Sequence, residues 1–183
     1  MKKYPEYLLA VMPNEEIILL VKKWKQLLRN EIGDFGSDDS LAHITIMGFD
    51  IDVFPLQYWL NEIAVFCNNC PSRKISFGTF KPLGLSTFQV APDQSSKKYL
   101  NSIILNIHKH FRIYVKDVNA HLTIARRLNQ TEMKYAVKLF ENLIADFDFI
   151  CDGFVLRKFN KSIGEYSDFI AEFKFSEKQL RLL

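Results

Sequence analysis

Two short strings in the 183-residue chain follow one pattern. Residues 39–46 read Asp-Ser-Leu-Ala-His-Ile-Thr-Ile, and residues 117–124 read Asp-Val-Asn-Ala-His-Leu-Thr-Ile. Each places a threonine two residues after a histidine: His43 with Thr45, His121 with Thr123. In an extended strand, side chains at i and i+2 share a face. Each His/Thr pair therefore points one way, while Ile44 and Ile46, or Leu122 and Ile124, point the other. Imidazole titrates near neutrality, so one histidine can act as base while its counterpart acts as acid. Threonine hydroxyls can donate to non-bridging oxygens of a phosphoryl group. Together the four side chains suit cleavage of a phosphodiester, which needs a proton removed on one side and supplied on the other.

A histidine or threonine in a strand is commonplace, and either motif alone would read as structure. Finding the string twice, 78 positions apart (43 to 121) and so near half the chain, reverses that reading. It implies two pseudo-repeated lobes whose His/Thr faces meet at a common cleft. Chemistry of this kind calls for no metal and no cofactor, and the pairing does not say which histidine is the base.

The surrounding pattern supplies the elements that must position these residues. Tyr7 to Met12 reads as a strand closed by Pro13. Asn14 then caps a helix with Ile17, Leu20, Val21, Trp24, Leu27 and Leu28 at helical spacing, ending at Gly33. Leu41 to Phe49 alternates as a strand. Pro55 suits the first turn of a second helix. Ile75–Phe80 and Leu85–Val90 read as a hairpin around Pro82-Leu83-Gly84. Asp93 caps a third helix, Ala120–Ala125 forms another strand, and Thr131 caps a fourth helix. Two strands close the chain, Phe149–Phe159 and one placing Phe169, Ala171, Phe173 and Phe175 on one face. Hairpins mixed with helical crossovers indicate an α+β class, organised as one domain over residues 1–183.

With its strand context, the paired His-x-Thr-x motif resembles the 2H phosphoesterase superfamily, and within it the 2′-5′ RNA ligase and cyclic phosphodiesterase group. The order of elements over the whole chain and the terminal strands with Gly164 and Tyr166 extend the resemblance. It implies a bilobal, pseudo-two-fold fold with two antiparallel sheets, flanked by helices, facing a central groove. It also implies metal-independent hydrolysis of 2′,3′-cyclic phosphates or 2′-5′ linkages on a nucleotide or RNA end. His43 and His121 would be catalytic, with Thr45 and Thr123 binding substrate. Arg126, two places past the second motif, is the basic residue that such proteins add as charge support. Strict alternation would turn Arg126 away from His121, so its use requires the strand to twist or end first. The alternatives are a module that binds a nucleotide or RNA end without turnover, and a 2′-5′ RNA ligase.

Other candidates are weaker. Cys67-Asn-Asn-Cys70 has zinc-like spacing but no second pair, with only His108 and His110 as further ligands. Asp39 and Asp117 stand four residues before the histidines and could orient them, although turn residues fit that position better. Tyr7, Phe49 or Phe88 could stack a base. Net charge is +3 and the pI about 8.7, too mild for bulk nucleic-acid binding but compatible with a small anionic ligand. Three cysteines are few and odd in number, as expected of a reduced, cytoplasmic protein. No apolar run has membrane-spanning length, and Met1-Lys2-Lys3 is not followed by a secretory leader pattern. The expected state is a monomer with no membrane partner.

Overall fold

A computed structural model describes residues 4–176; Met1-Lys2-Lys3 lies outside the described residues. Strand β1 (Tyr7–Val11) is buried along its whole length. The Asn14 side chain accepts a bond from the Ile17 amide and starts helix α1 (Glu15–Ile32), with Glu15 and Glu16 at its positive end. Gly33, at φ 78°, ends it. Strand β2 (Ile44–Phe49) and helix α2 (Leu56–Cys67) follow, with Pro55 at the cap rather than inside the first turn. Strands β3 (Arg73–Leu83) and β4 (Thr87–Pro92) form a hairpin. Asp93 caps helix α3 (Gln94–His110), which leads to β5 (Leu122–Ala125) and helix α4 (Gln130–Phe140). Strands β6 (Phe147–Cys151), β7 (Gly153–Asn160) and β8 (Glu165–Lys174) complete the described chain. No helix among the described residues is long and apolar enough to cross a membrane.

The repeat seen in sequence is a repeat of architecture. The unit β1-α1-β2-α2 recurs as β4-α3-β5-α4. In each unit the second strand runs antiparallel to the first and forms the edge of its sheet. The sheets have the orders β2-β1-β7-β8 and β5-β4-β3-β6, both antiparallel. The fold is therefore α+β with two matched sheets. Both motifs lie at the start of an edge strand. Their apolar sides anchor them: Ile44, Ile46, Leu122 and Ile124 are all buried.

Four local expectations change. Residues 149–159 are two strands, because the chain leaves one sheet after Cys151 and enters the other at Gly153. A continuous apolar pattern hides this crossing. The hairpin turns at Gly84–Ser86, not at Pro82, which stays in β3. Pro82 pairs with Phe88 on β4, but β6 pairs β3 only as far as Phe77, so the other side of β3 is an edge at Pro82, where proline is tolerated. Helix α4 starts from Asn129, whose side chain and that of Glu132 form a capping box. Thr131 falls inside the first turn. Finally, Phe169 is exposed while Phe173 and Phe175 are buried, since bulges against β7 break the alternation of β8.

The crossing at Gly153 tolerates no side chain. A Cβ there would collide with the Phe173 carbonyl oxygen on the paired strand, a backbone atom with nowhere to go. Gly153→Ala is expected to destabilise the fold by about 1–3 kcal/mol. At this chain length each kcal/mol lowers Tm by roughly 2–4 °C, read by thermal unfolding.

Candidate active site

Both motif histidines sit one residue before their strand begins, and both make the same bond. His43 Nδ1 lies 2.8 Å from the Leu41 carbonyl oxygen, and His121 Nδ1 lies 2.7 Å from that of Asn119. A carbonyl can only accept, so Nδ1 carries the proton in each ring. Each neutral imidazole therefore has its lone pair on Nε2, the atom left for chemistry. The bond runs from residue i to i−2 in both copies. Asp39 and Asp117 do not take this part: Asp39 lies instead 3.4 Å from Arg29, and both aspartates are exposed.

Thr45 stands across from Ala10 on β1, and Thr123 stands across from Gln89 on β4. Thr45 is exposed and Thr123 half-buried, while the residues flanking each are buried, so the pleat turns both hydroxyls away from the core. Arg126 follows the last residue of β5. The strand ends before it, and its amide donates to the Gly36 carbonyl at 2.8 Å. That bridge joins the segment leading into the first motif to the end of the strand bearing the second. A Cβ on Gly36 would come within 2.7 Å of the Arg126 carbonyl oxygen, so glycine is required for this approach. The Arg126 guanidinium is the one cation whose field depresses both imidazoles.

The electrostatics of the two rings differ. His43 touches solvent on one side but is enclosed on the others, and this desolvation pushes its pKa down to about 4. The Leu41 bond opposes the shift; Lys25, Arg126 and Arg157 reinforce it. His121 is lowered as well, first by desolvation, against its Asn119 bond, with Arg126 as the only added cation.

Lys25 is a residue that sequence reasoning missed. It is 3% exposed on α1, and its ammonium donates to the Ser37 carbonyl at 2.5 Å, to the Ser40 carbonyl at 2.7 Å and to Ser40 Oγ at 3.1 Å. Burial drives its pKa down to about 8, with Glu165 opposing. Lys25 thus pins residues 37–40 directly upstream of Leu41 and His43. A signal was present: the buried residues of α1 are Ile17, Val21, Trp24, Lys25 and Leu28, so a lysine occupies a place in the apolar stripe. Leu27, assigned to that stripe, is exposed.

Beside His43 lies a cavity of about 480 Å³ with an apolar floor of Leu8, Ala10 and Met12. Arg157 and Tyr166 border it. Arg157 donates to the Tyr166 carbonyl at 3.1 Å, and its buried Nε has no hydrogen-bond partner among the described residues. Glu165 and Tyr166 also border the smaller cavity that holds Arg126, so the two spaces adjoin. Tyr166 borders both spaces, with Tyr4 and Phe159 on the smaller one; Tyr7, Phe49 and Phe88 are buried in the core. The cysteines and remaining histidines are occupied elsewhere. Cys67, Cys70 and Cys151 are buried, with thiol pKa values raised by desolvation. His108 bonds the Ile104 carbonyl and His110 pairs with Glu62. No group of three His, Cys, Asp or Glu among the described residues could hold a metal ion.

No protein-family model and no curated protein sequence matches the chain. Solved structures do match it in fold. Escherichia coli LigT complexed with 3′-AMP superposes with a TM-score of 0.63 at 10% identity, covering 95% of this chain and 99% of that one. TT0787 of Thermus thermophilus gives 0.62 at 14% identity, covering 95% and 100%. Kluyveromyces marxianus Usb1 with uridine monophosphate gives 0.52 at 12% identity, covering 92% and 97%. A further similar structure is described simply as a phosphoesterase. At these identities the likeness is one of fold.

Lys25 acts on His43 and not on His121, which gives a selective test. Lys25→Met removes the cation while keeping a long apolar stem. NMR titration of the imidazoles should show the His43 pKa rising and the His121 pKa unmoved. Leaving the Ser37 and Ser40 carbonyls without their donor should also cost about 1–3 kcal/mol in chemical denaturation.

Proposed function

We propose that this chain is a 2H phosphoesterase that hydrolyses 2′,3′-cyclic phosphate, or 2′-5′ linked, nucleotide or RNA ends by two-histidine acid/base catalysis. The observation that carries the reading is the matched pair of Nδ1–carbonyl bonds, which leaves one Nε2 free on each motif histidine. A fold shared with a phosphoesterase, and with proteins crystallised with 3′-AMP and uridine monophosphate, supports it.

In this mechanism the phosphate lies between the two rings. Desolvation first, reinforced by Lys25, Arg126 and Arg157, pushes His43 down to about 4, whereas His121 is lowered by desolvation with Arg126 alone reinforcing it, which favours His121 as the ring that carries the proton. His43 is therefore assigned as base and His121 as acid. Nε2 of neutral His43 takes a proton from the attacking water as its oxygen bonds to phosphorus. The bond from phosphorus to the 2′ or 3′ oxygen breaks, and His121 gives that oxygen its Nε2 proton. The product is a phosphomonoester, and the two imidazoles exchange protonation states before the next turnover. Thr45 and Thr123 donate to the non-bridging oxygens, and Arg126 offsets their growing charge in the transition state.

The reaction needs His43 neutral and His121 charged, and this fixes the pH window. Both pKa values lie below the usual 6.5. The base is lost as pH falls through about 4, where His43 takes up a proton. The acid is lost as pH rises through the lowered His121 value. For kcat/KM, which reports the free enzyme, the bell should peak on the acid side of 6.5 rather than at neutrality. An anionic substrate favours the charged imidazoles, so the kcat profile should lie at higher pH than the kcat/KM profile.

Purified protein supplied with 2′,3′-cyclic nucleotides and 2′-5′ dinucleotides should release monoester product, and should do so in EDTA. His43→Ala and His121→Ala should each reduce kcat on the order of 10²–10⁴-fold, with Thr45→Ala and Thr123→Ala milder. The double histidine variant should be little worse than the more damaging single one, because the two act as a unit. Binding without turnover would leave a nucleotide-end binding module; joining of RNA ends would make the chain a ligase. Loss in EDTA with rescue by one divalent metal would overturn the mechanism.

A further inference from the structure

The sheet that bears His121 continues past it as a polar row. Thr123 on β5 stands directly across from Gln89 on β4, and Gln89 stands across from Lys81 on β3. Paired residues in an antiparallel sheet share a face. The opposite face of the same strands carries Phe80, Phe88, Val90 and Leu122, of which the last three are buried in the core. Thr123, Gln89 and Lys81 thus form a line on the His/Thr face. With strands about 4.8 Å apart, that line runs roughly 10 Å away from the motif threonine.

The row ends in a space of its own. A cavity of about 270 Å³ is lined by Lys81, Gln89, Ala91, Lys97 and Asn119, among others. It is separate from the cavity beside His43, with which it shares no residue. It is nonetheless tied to the second motif, because Asn119 is the residue whose carbonyl holds the His121 ring.

Three features of this space ask for one kind of ligand. Gln89 is 2% exposed, and its Oε1 is buried with no hydrogen-bond partner among the described residues. A buried amide oxygen left unmet is costly, and it calls for a donor. Lys81 and Lys97 form no ion pair with a carboxylate among the described residues, and they call for an anion. The volume lies just under the range of whole small-molecule pockets and suits a fragment of a larger ligand. A nucleotide unit supplies both groups: a sugar hydroxyl or base amine for Gln89, and a phosphodiester for the lysines.

We infer that Lys81, Gln89 and Lys97 form a second subsite, which takes the nucleotide adjoining the one whose phosphate reacts. The preferred substrate is then an oligoribonucleotide end and not a free cyclic mononucleotide. This inference rests on the two-histidine reading, which puts the reacting phosphate at Thr45 and Thr123. The His43 cavity would take one side of that phosphate and this subsite the other.

The test compares two substrates with the same terminal nucleotide: a 2′,3′-cyclic mononucleotide and a tetraribonucleotide ending in it. Wild-type kcat/KM should favour the tetranucleotide by tenfold or more. The double variant Lys81→Ala/Lys97→Ala changes one exposed and one half-buried lysine, so folding should persist. It should lose most of that preference while the mononucleotide rate stays within about twofold. Gln89→Met, which keeps volume and removes the acceptor, should act in the same direction. A binding arm does not depend on turnover. The affinity of a fluorescent tetranucleotide ending in a 3′-phosphate should fall at least tenfold in the lysine variant. Its slope of log affinity against log salt should become shallower by about 0.7, the value for one lost phosphate contact to a single strand. Equal rates on both substrates, or variants that keep the preference and the salt slope, would overturn the subsite. If neither substrate is cleaved but the binding differences hold, the two-histidine reading fails and the subsite stands.

Discussion

A backbone carbonyl two residues upstream of each motif histidine fixes its ring and its tautomer. The bond at His43 and the bond at His121 differ by 0.1 Å and use the same atoms. An imidazole bonded to a carboxylate gains basicity; one bonded to a carbonyl gains orientation and a fixed tautomer with a smaller shift. The carbonyl can only do this if the residues before the strand are themselves held. In the first repeat Lys25 holds them, through the Ser37 and Ser40 carbonyls. In the second repeat Asn101 on α3 does so. Its side chain donates to the Val118 carbonyl at 3.2 Å and accepts from the Ala120 amide at 2.8 Å. The helix that follows each unit's first strand thus reaches over to fix the turn into its second strand. The two repeats solve one problem with different side chains.

That difference explains what could be read from the sequence. The motif faces were legible because strand alternation needs only residue order. Ala42, Ile44, Ile46 and their counterparts went to the core as the pattern required. Helices α1 and α3 were legible from Asn14 and Asp93, whose cap bonds are local. Lys25 and Asn101 were not singled out, because their partners lie 12 to 19 residues away and a single lysine or asparagine on a helix reads as solvated. Arg157 was hidden for a related reason. It reaches the His43 cavity only because β7 crosses to the first sheet, and the apolar run through residues 149–159 gave no break at which to see that. Gly153 marked the break, but a single glycine in a strand pattern is weak evidence until the neighbouring Phe173 carbonyl is in view.

The bridge between Gly36 and Arg126 sets how the two motifs relate. It joins the segment before one motif to the end of the other through backbone atoms, and it depends on Gly36 carrying no side chain. It also sets the place of Arg126. The chain turns out of β5 after Ala125, and Arg127 adopts φ 62°. The alternation that would have sent Arg126 to the core side no longer applies at that point. Its charge then depresses both imidazoles at once, which favours neutral rings in the absence of ligand. A site with two neutral bases and three nearby cations is poised for an anion.

Pseudo-symmetry alone would let a phosphate sit either way round. The charges break that symmetry. Lys25 and Arg157 load the His43 side, whereas the His121 side has a neutral row through Gln89 before any lysine is met. His43 therefore stands next to the larger, apolar-floored cavity, and Asn119, whose carbonyl holds His121, lines the space at the end of the polar row. In the proposed mechanism, the direction of attack and the placement of the flanking groups follow from this one asymmetry. An exchange of the roles of the two histidines would require moving cations across the groove, not merely altering the motifs themselves.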